Sequence, residues 1–476
     1  MNAPARRALH MPLLVGLAVA VIVAAGSWAR ATNGARTTAD EPHYLLTAIS
    51  LWEDRDLDVA DERTDLRYLA FHAVPLPQQA SVQHDGRQVA PHDPLLPLVL
   101  AAPAGIGGWL GAKLALAALA GVLAGCVAWT APNRFAVRPA VAAGAALLAG
   151  ASPPLAVYGT QVYPELLAGL VALTGYLAAT AEPSRRSALA GVVCVSALPW
   201  LSVKYLLVAG VLAIGLLAHQ RAARRPRLLL ATLAMLAVSG IVYVVGHRLL
   251  YGGFTAYAAG SHFAAGELSV VGNDPDYVAR SARLVGLLVD RHFGLVPWQP
   301  AFLVAPIALA AVIRRRLAGG ALLVATVAAG WVTATWVALT MHGWWWPGRQ
   351  TVVVLPLAVV AIAAWADRLA PVAQRALAVV ATSGFIAYLL LAWGATAGWH
   401  TLIVDFTRTS NPVVWLLRPL FPDLRQDGLG TDLLVAVWAV VIVAATILAF
   451  RPVLSRRRVR GGVAAMEFGG AAPGTR

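Results

Sequence analysis

Long apolar runs broken by short polar ones recur along the chain from about residue 12 to residue 450. Each run approaches the ~20 apolar residues that carry a helix across a bilayer. They are continuous rather than alternating, which predicts helices and not outer-membrane strands. In order, the spans read Pro12 to Ala29, Gly111 to Thr130, Ala140 to Tyr158, Glu165 to Thr180, Ser187 to Leu201, Tyr205 to Ala218 and Leu228 to Leu250. Phe293 to Ile313, Leu317 to Thr340, Val352 to Trp365, Leu377 to Gly394 and Leu433 to Phe450 follow, which gives twelve. Three longer polar stretches separate them: about 30–94, Tyr251 to Arg291, and Gly394 to Thr431. Within the first, Tyr44 to Trp52 reads as an amphipathic helix in the membrane interface. Pro94 to Gly108 is apolar but carries Pro94, Pro97 and Pro103. It reads as a re-entrant or interfacial segment of irregular backbone, tolerated where protein or a cavity covers it. The tail after Ser455, Arg-rich and then Gly/Ala-rich, reads as disordered. The chain is thus expected to be an all-α polytopic membrane protein, with a transmembrane domain over 1–454, a large first loop at about 30–94, and a cytoplasmic tail over 455–476.

Composition narrows the class. Hydrophobic residues make up 59% and charged ones 13%, against about 25% charged in an ordinary soluble domain. The net charge of +14 would by itself hint at nucleic acid, but its placement does not. Arg6-Arg7, Arg134 with Arg138, Arg185-Arg186, Arg221 to Arg227, Arg314 to Arg316, Arg368 with Arg375 and Arg456 to Arg460 all sit between spans. An N-terminus in the cytoplasm puts every one of these clusters inside, as the positive-inside rule requires. The same parity leaves only Glu182, Asp367 and Glu467, of 23 acidic residues, inside. A multi-pass protein of the plasma (inner) membrane follows, with both termini cytoplasmic, the bilayer as a partner and no nucleic acid. Arg6-Arg7 resembles a signal peptide's charged flank, but no small-residue cleavage site follows, so the first span reads as an uncleaved helix. Cys126 and Cys194 fall inside spans, and no disulfide framework is indicated.

The outer face holds the candidate chemistry. From Glu53 to Asp65 the first loop interleaves Glu53, Asp54, Asp56, Asp58, Asp61, Glu62 and Asp65 with Arg55 and Arg63, and Arg67 follows. That is the pattern of a solvated, salt-bridged loop. Asp40-Glu41 stands apart, just ahead of Pro42 and an apolar stretch. Two readings fit: a carboxylate at the membrane surface whose pKa burial could tune for base catalysis, or Asp40 as the cap of a helix with proline in its first turn. Lys204, Arg349 and Arg291 are basic residues that positive-inside bias does not place. They read either as snorkelling side chains at helix ends or as a cationic clamp for phosphate. Trp344 to Trp346 read as an interfacial belt or as a stacking wall. His43, His72, His84 and His92 lack a compact metal-ligand spacing.

These motifs together resemble the GT-C superfamily of polytopic glycosyltransferases that use polyprenyl-phosphate sugars, which includes protein mannosyltransferases and lipid A aminoarabinose transferases. The resemblance is carried by Thr37-Thr38-Ala39-Asp40-Glu41-Pro42-His43-Tyr44, by the turn Tyr158-Gly159-Thr160-Gln161-Val162-Tyr163-Pro164-Glu165, by Asp290-Arg291-His292-Phe293-Gly294-Leu295, and by Gly343 to Arg349. It implies transfer of a hexose or pentose from a polyprenyl-phosphate donor to an acceptor hydroxyl at the extracytoplasmic face, with inversion. Asp40 would be the catalytic carboxylate, with Glu41 beside it orienting it or the acceptor. Arg349, Lys204, Arg291, His292 and Glu165 would serve the donor phosphate. The acceptor would be an envelope lipid, polysaccharide or protein. No residue is assigned to a metal, although a divalent metal is compatible with the scheme. A transporter or flippase of a lipid-linked substrate is the alternative. Transporters keep ionisable groups near the midplane, and here these groups crowd one surface.

Overall fold

A computed structural model describes residues 3–450, apart from 84, 85 and 264. His84 and the tail assigned to 455–476 therefore lie outside the described residues. The helices in order are α1 (Ala3–Ala25), α2 (Glu41–Glu53), α3 (Ala60–Thr64), α4 (Leu95–Phe135), α5 (Pro139–Gly150), α6 (Leu155–Tyr158), α7 (Glu165–Ala179), α8 (Arg185–Leu201) and α9 (Leu206–Ala222). They continue with α10 (Pro226–Tyr251), α11 (Tyr277–Arg280), α12 (Arg283–Val289), α13 (Ala305–Arg314), α14 (Gly320–Val332), α15 (Leu355–Ala366), α16 (Pro371–Ala397), α17 (Pro412–Leu417) and α18 (Leu429–Phe450). Among the described residues there are only isolated β-bridges and no named strand, so the all-α expectation holds. Among the described residues six helical stretches are long and apolar enough to cross a membrane, and five further apolar helices are shorter.

Small residues let the bundle close. Gly121 and Gly125 of α4 repeat at four-residue spacing and lie against Gly16 of α1. A Cβ on Gly16 would stand 2.8 Å from the Gly121 carbonyl oxygen. Close backbone approach of this kind is how helices associate when lipid supplies no hydrophobic drive between them. α15 is buried at nearly every position. By contrast α18 has no buried residue, as suits a helix whose whole girth is apolar and whose neighbour is lipid.

Several apolar runs are apolar for a different reason than spanning. Phe293, Leu295, Val296 and Trp298 are almost fully buried, yet they lie in turns, and helix begins only at the 3-10 turn Pro300–Val304 that leads into α13. Their hydrophobicity answers to protein packing, which periodicity alone does not separate from a span. The expectation for Tyr44 to Trp52 changes likewise. α2 does not lie in the interface: Leu45, Leu46 and Ala48 have no exposed surface, and the helix rests on α4. The segment Pro94 to Gly108 is helical rather than irregular. Pro94 sits at its N-cap, and the break falls at Gly108 (φ 60, ψ −154), where glycine alone adopts that geometry cheaply.

The three long polar stretches pack on one another at one end of the helices. Ser81 N–H donates to Ala259 O at 2.8 Å and Ser261 N–H to Gln79 O at 2.9 Å, joining the first loop to the second. Ile403 N–H donates to Ala31 O at 3.1 Å, joining the first to the third. Lys113 near the break of α4 donates to Arg36 O at 2.6 Å, and Asp93 hydrogen-bonds His247 of α10 at 2.8 Å. At the other end, Arg138 pairs with Asp367 at 2.6 Å. Removing His247 strips the buried Asp93 carboxyl of its side-chain partner and costs roughly 1–3 kcal/mol. His247→Ala is expected to lower the melting temperature of the detergent-solubilised protein by several degrees. An unchanged melting curve would mean that the Asp93 contact does not hold the first loop to α10.

Candidate active site

Asp40 occupies the N-cap position of α2, with Pro42 in the first turn, but its side chain makes no capping bond. The carboxylate points instead across the loop end and accepts from Arg349 Nη2 at 2.9 Å. Glu41 takes over the start of the helix, accepting from Thr38 N–H at 3.1 Å. Between them stands Ala39 with φ 50, a left-handed backbone that costs a non-glycine residue about 1 kcal/mol.

Arg349 opens the 3-10 turn Arg349–Thr351 after Gly348, whose φ of 80 turns the chain back. Its Nε donates to Glu165 Oε1 at 2.8 Å, and its guanidinium lies 4.0 Å from the centre of the Tyr163 ring, a cation–π contact. Lys204, in the 3-10 turn Val203–Tyr205 between α8 and α9, donates to the same Glu165 oxygen at 2.6 Å. Four segments far apart in sequence thus deliver two cations and two carboxylates to one place. Glu165 is fully buried and Arg349 nearly so, while a quarter of the Asp40 side chain is open. Asp40, Tyr44, His92, Lys204, Tyr257 and Arg349 line a cavity of about 180 Å³, the space of roughly six waters. That suits a small polar group. A larger apolar groove of about 410 Å³ lies between α5, α15 and α16 and shares no lining residue with this cavity.

Burial raises the Asp40 carboxyl pKa, but Arg349 first, then His92 and His43, outweigh it and hold the group well below the usual carboxylate range. Asp40 is therefore an anion. Burial lowers the His92 imidazole, opposed only in part by Asp40. His92 Nε2 lies 3.1 Å from Gln79 Oε1, and its ring stacks on Tyr44 at 4.5 Å. The arrangement can hold an anion on two cations and offer an ionised carboxylate to a proton donor in the same cavity.

The other sequence candidates fall elsewhere. Glu41 has no exposed surface. It accepts from Val162 N–H at 2.8 Å and from Gln161 Nε2 at 3.3 Å, besides Thr38. It pins the first loop to the turn that supplies Tyr163 and Glu165 and does not line the cavity, so it is placed as a positioning residue. Arg291 and His292 are not brought to Asp40. The Arg291 Nε donates to the carbonyls of Arg418 and Phe421 at 3.1 and 3.3 Å. His292 lies 3.4 Å from Asp423, while Asp290 accepts from the backbone of His292, Phe293 and Leu424. Their polar groups serve a separate knot that ties residues 290–294 to the third loop. Of the three tryptophans, Trp344 is exposed, Trp346 is fully buried, and Trp345 flanks Arg349 at 5.0 Å. Sequence reasoning missed Tyr44, His92 and Tyr257 as cavity residues. Tyr44 was legible, standing four residues after Asp40 and so on its helix face; nothing local marks the other two.

Among solved structures the chain is similar to ArnT from Cupriavidus metallidurans bound to undecaprenyl phosphate. The TM-score is 0.52 at 15% identity, covering 91% of this chain and 77% of that one. The chain shares that protein's fold. The same ArnT in its apo state matches at 16% identity, over 92% and 76% of the two chains, with a TM-score of 0.49. No family model and no curated protein matches. On this scaffold Glu41 makes a separable contribution. Glu41→Ala leaves the Val162 and Thr38 N–H groups without acceptors, a cost of roughly 1–3 kcal/mol for a buried donor. Thermal melts are expected to show a clear loss for Glu41→Ala and a partial recovery for Glu41→Gln, which keeps one acceptor oxygen. Equal melting of all three would remove Glu41 from its positioning role.

Proposed function

We propose that the chain is a membrane glycosyltransferase of the GT-C kind. It crosses the membrane twelve times from a cytoplasmic N-terminus and moves a sugar from a polyprenyl-phosphate donor to an acceptor hydroxyl at the extracytoplasmic face. The observation that carries this is the ion chain Asp40–Arg349–Glu165–Lys204, of which Asp40, Arg349 and Lys204 line one cavity. The fold adds support, since a solved protein of the same fold is described as bound to undecaprenyl phosphate. The charged groups gather where the loops meet, which favours surface chemistry over transport.

The chemistry follows from charge. The four ionised groups sum to zero, and Arg349 is the one that both carboxylates share. A donor phosphate entering the cavity competes with Asp40 for the guanidinium, with Lys204 as its second cation. Asp40, freed from its ion pair in a desolvated place, then rises toward the range of a useful base. The acceptor oxygen attacks the anomeric carbon while its proton passes to Asp40. The bond from that carbon to the phosphate oxygen breaks, and its electron pair leaves on polyprenyl phosphate. Direct attack inverts the anomeric centre. Arg349 and Lys204 stabilise the charge that grows on the phosphate, an effect worth about 10²–10³ in rate for one well-placed donor. The acceptor is an envelope lipid, polysaccharide or protein hydroxyl.

Asp40→Asn is expected to remain folded, with Glu165 still held on Arg349, and to lose transfer by roughly 10²–10⁴, read as release of polyprenyl phosphate from a labelled donor. Retained transfer in a folded Asp40→Asn protein would end the proposal, and movement of intact donor across the membrane would replace it with transport. A second expectation concerns pH. Asp40 works deprotonated, so kcat/KM falls as pH drops through the free enzyme's Asp40 pKa. In the wild type that limb lies below the ordinary aspartate value of 3.8. In Arg349→Gln burial is no longer opposed by the main cation, so the limb moves to higher pH. A limb that stays in place would separate Asp40 from the measured rate.

A further inference from the structure

The acidic run of the first loop divides into side chains with internal partners and side chains with none. Arg67 makes a bidentate pair with Glu53 at 2.7 and 2.8 Å. Asp56 accepts from Ser50 Oγ and from Asp58 N–H, and Asp58 accepts from Ala60 and Gln88 N–H. Asp54, Asp61, Glu62 and Asp65 are left, and the first three stand together. One carboxylate oxygen from each of these three lies within 4.8 Å of the others, and among the described residues no ion pair includes them. Glu62 is only 3% exposed, and both of its oxygens are buried without a hydrogen-bond partner. A buried carboxylate in that condition calls for a counter-charge. Asp54 is also the C-cap of α2, where the helix dipole repels an anion and favours a cation.

We propose that Asp54, Asp61 and Glu62 form a site for a hard divalent cation, Ca²⁺ in the first instance, that clamps the end of α2 to α3. The donor set is all oxygen, with no imidazole or thiolate, which selects Ca²⁺ or Mg²⁺ over zinc. Asp54 and Asp61 are exposed, so water can complete the coordination shell. Without a cation, burial pushes the Glu62 carboxyl up to about 8, with Asp61 next among the causes. The 13 residues of α2 span about 20 Å, so the site stands away from the Asp40 cavity. It holds the far end of the helix at whose start Asp40 sits, and it is independent of any reading of the transfer chemistry.

The test uses the full-length detergent-solubilised protein, stripped with EDTA and titrated with Tb³⁺, whose luminescence Trp52 two residues before Asp54 sensitises. One saturable signal is expected, displaced by Ca²⁺ with a dissociation constant on the order of 10⁻⁴–10⁻³ M, as in extracellular modules. Glu62→Gln and Asp54→Asn should each weaken Ca²⁺ displacement by roughly tenfold or more through loss of a charged ligand, while Asp40→Asn binds as the wild type does. Asp54 is exposed, so its variant is spared the folding risk of the buried Glu62 position. Absence of a saturable signal up to about 10 mM Ca²⁺, an order above that range, would overturn the site in favour of a proton shared between Glu62 and Asp61. Undiminished binding in both variants would overturn it as well.

Discussion

A guanidinium taken out of water must be met by anions held in place, and Arg349 imposes that demand on this fold. Its charge is met by Glu165 at 2.8 Å and Asp40 at 2.9 Å, with the face of Tyr163 beneath. Buried ion pairs gain little net stability, because desolvation offsets attraction unless geometry and further hydrogen bonds are good. What such a pair does give is a requirement that certain segments meet. Here the requirement falls on the first loop, the turn before α7, the turn between α8 and α9, and the turn before α15. Glu41 answers the same need from the other side, since its oxygens take backbone donors from the first loop and from the turn before α7. The two adjacent carboxylates therefore divide the labour: one is spent on architecture and the other is left facing the cavity.

Neutrality sets how the site responds. Two cations and two anions in a poorly solvated place balance, and an additional anion upsets that balance unless one resident carboxylate gives way. Glu165 cannot easily do so, because it is wholly buried and holds both Lys204 and Arg349 on a single oxygen. Asp40, a quarter open and bound by one contact, can. On the proposed reaction the donor phosphate thus activates the base by taking its partner, and a proton-accepting carboxylate is released only when there is a leaving group to serve. His92, whose imidazole burial pushes down beside it, adds a polar wall to the cavity.

The parts of this arrangement that were legible in the sequence broke a general rule there. By the charge parity of the sequence Lys204 and Arg349 are cations that positive-inside bias does not place, and Asp40 precedes an apolar stretch instead of lying within the acidic run. Arg291 broke the same rule and was read the same way, yet its Nε goes to carbonyl oxygens of the third loop. A single sequence shows that an odd cation needs an explanation without showing whether a backbone or a ligand supplies it. The burial of α2 and the turn nature of Phe293 to Gln299 were hidden for a related reason. An apolar residue against protein and one against lipid look alike, and only the packing of loops on helix ends distinguishes them. Pro94 to Gly108 misled through its prolines. A proline near a helix start costs nothing, as the missing N–H would be unpaired there in any case.

The backbone turns left-handed just before both partners of the central ion pair, and a local rule is broken at one of them. The residue before Asp40 is Ala39 at φ 50, and the residue before Arg349 is Gly348 at φ 80. Glycine takes that conformation freely; alanine does not. Asp40 further forgoes the capping bond that its position offers, which is typically worth about 1 kcal/mol. A chain selected for stability alone would place glycine at 39 and let Asp40 cap its own helix. The present chain does neither, and both departures turn the same carboxylate away from α2 and toward Arg349. Strain of this kind persists only where surrounding contacts over-determine it, and the contacts that do so here are those of Glu41 with Thr38, Gln161 and Val162. Coincidence of a strained residue, an unspent cap and a cavity at one carboxylate is the pattern in which stability gives way to function.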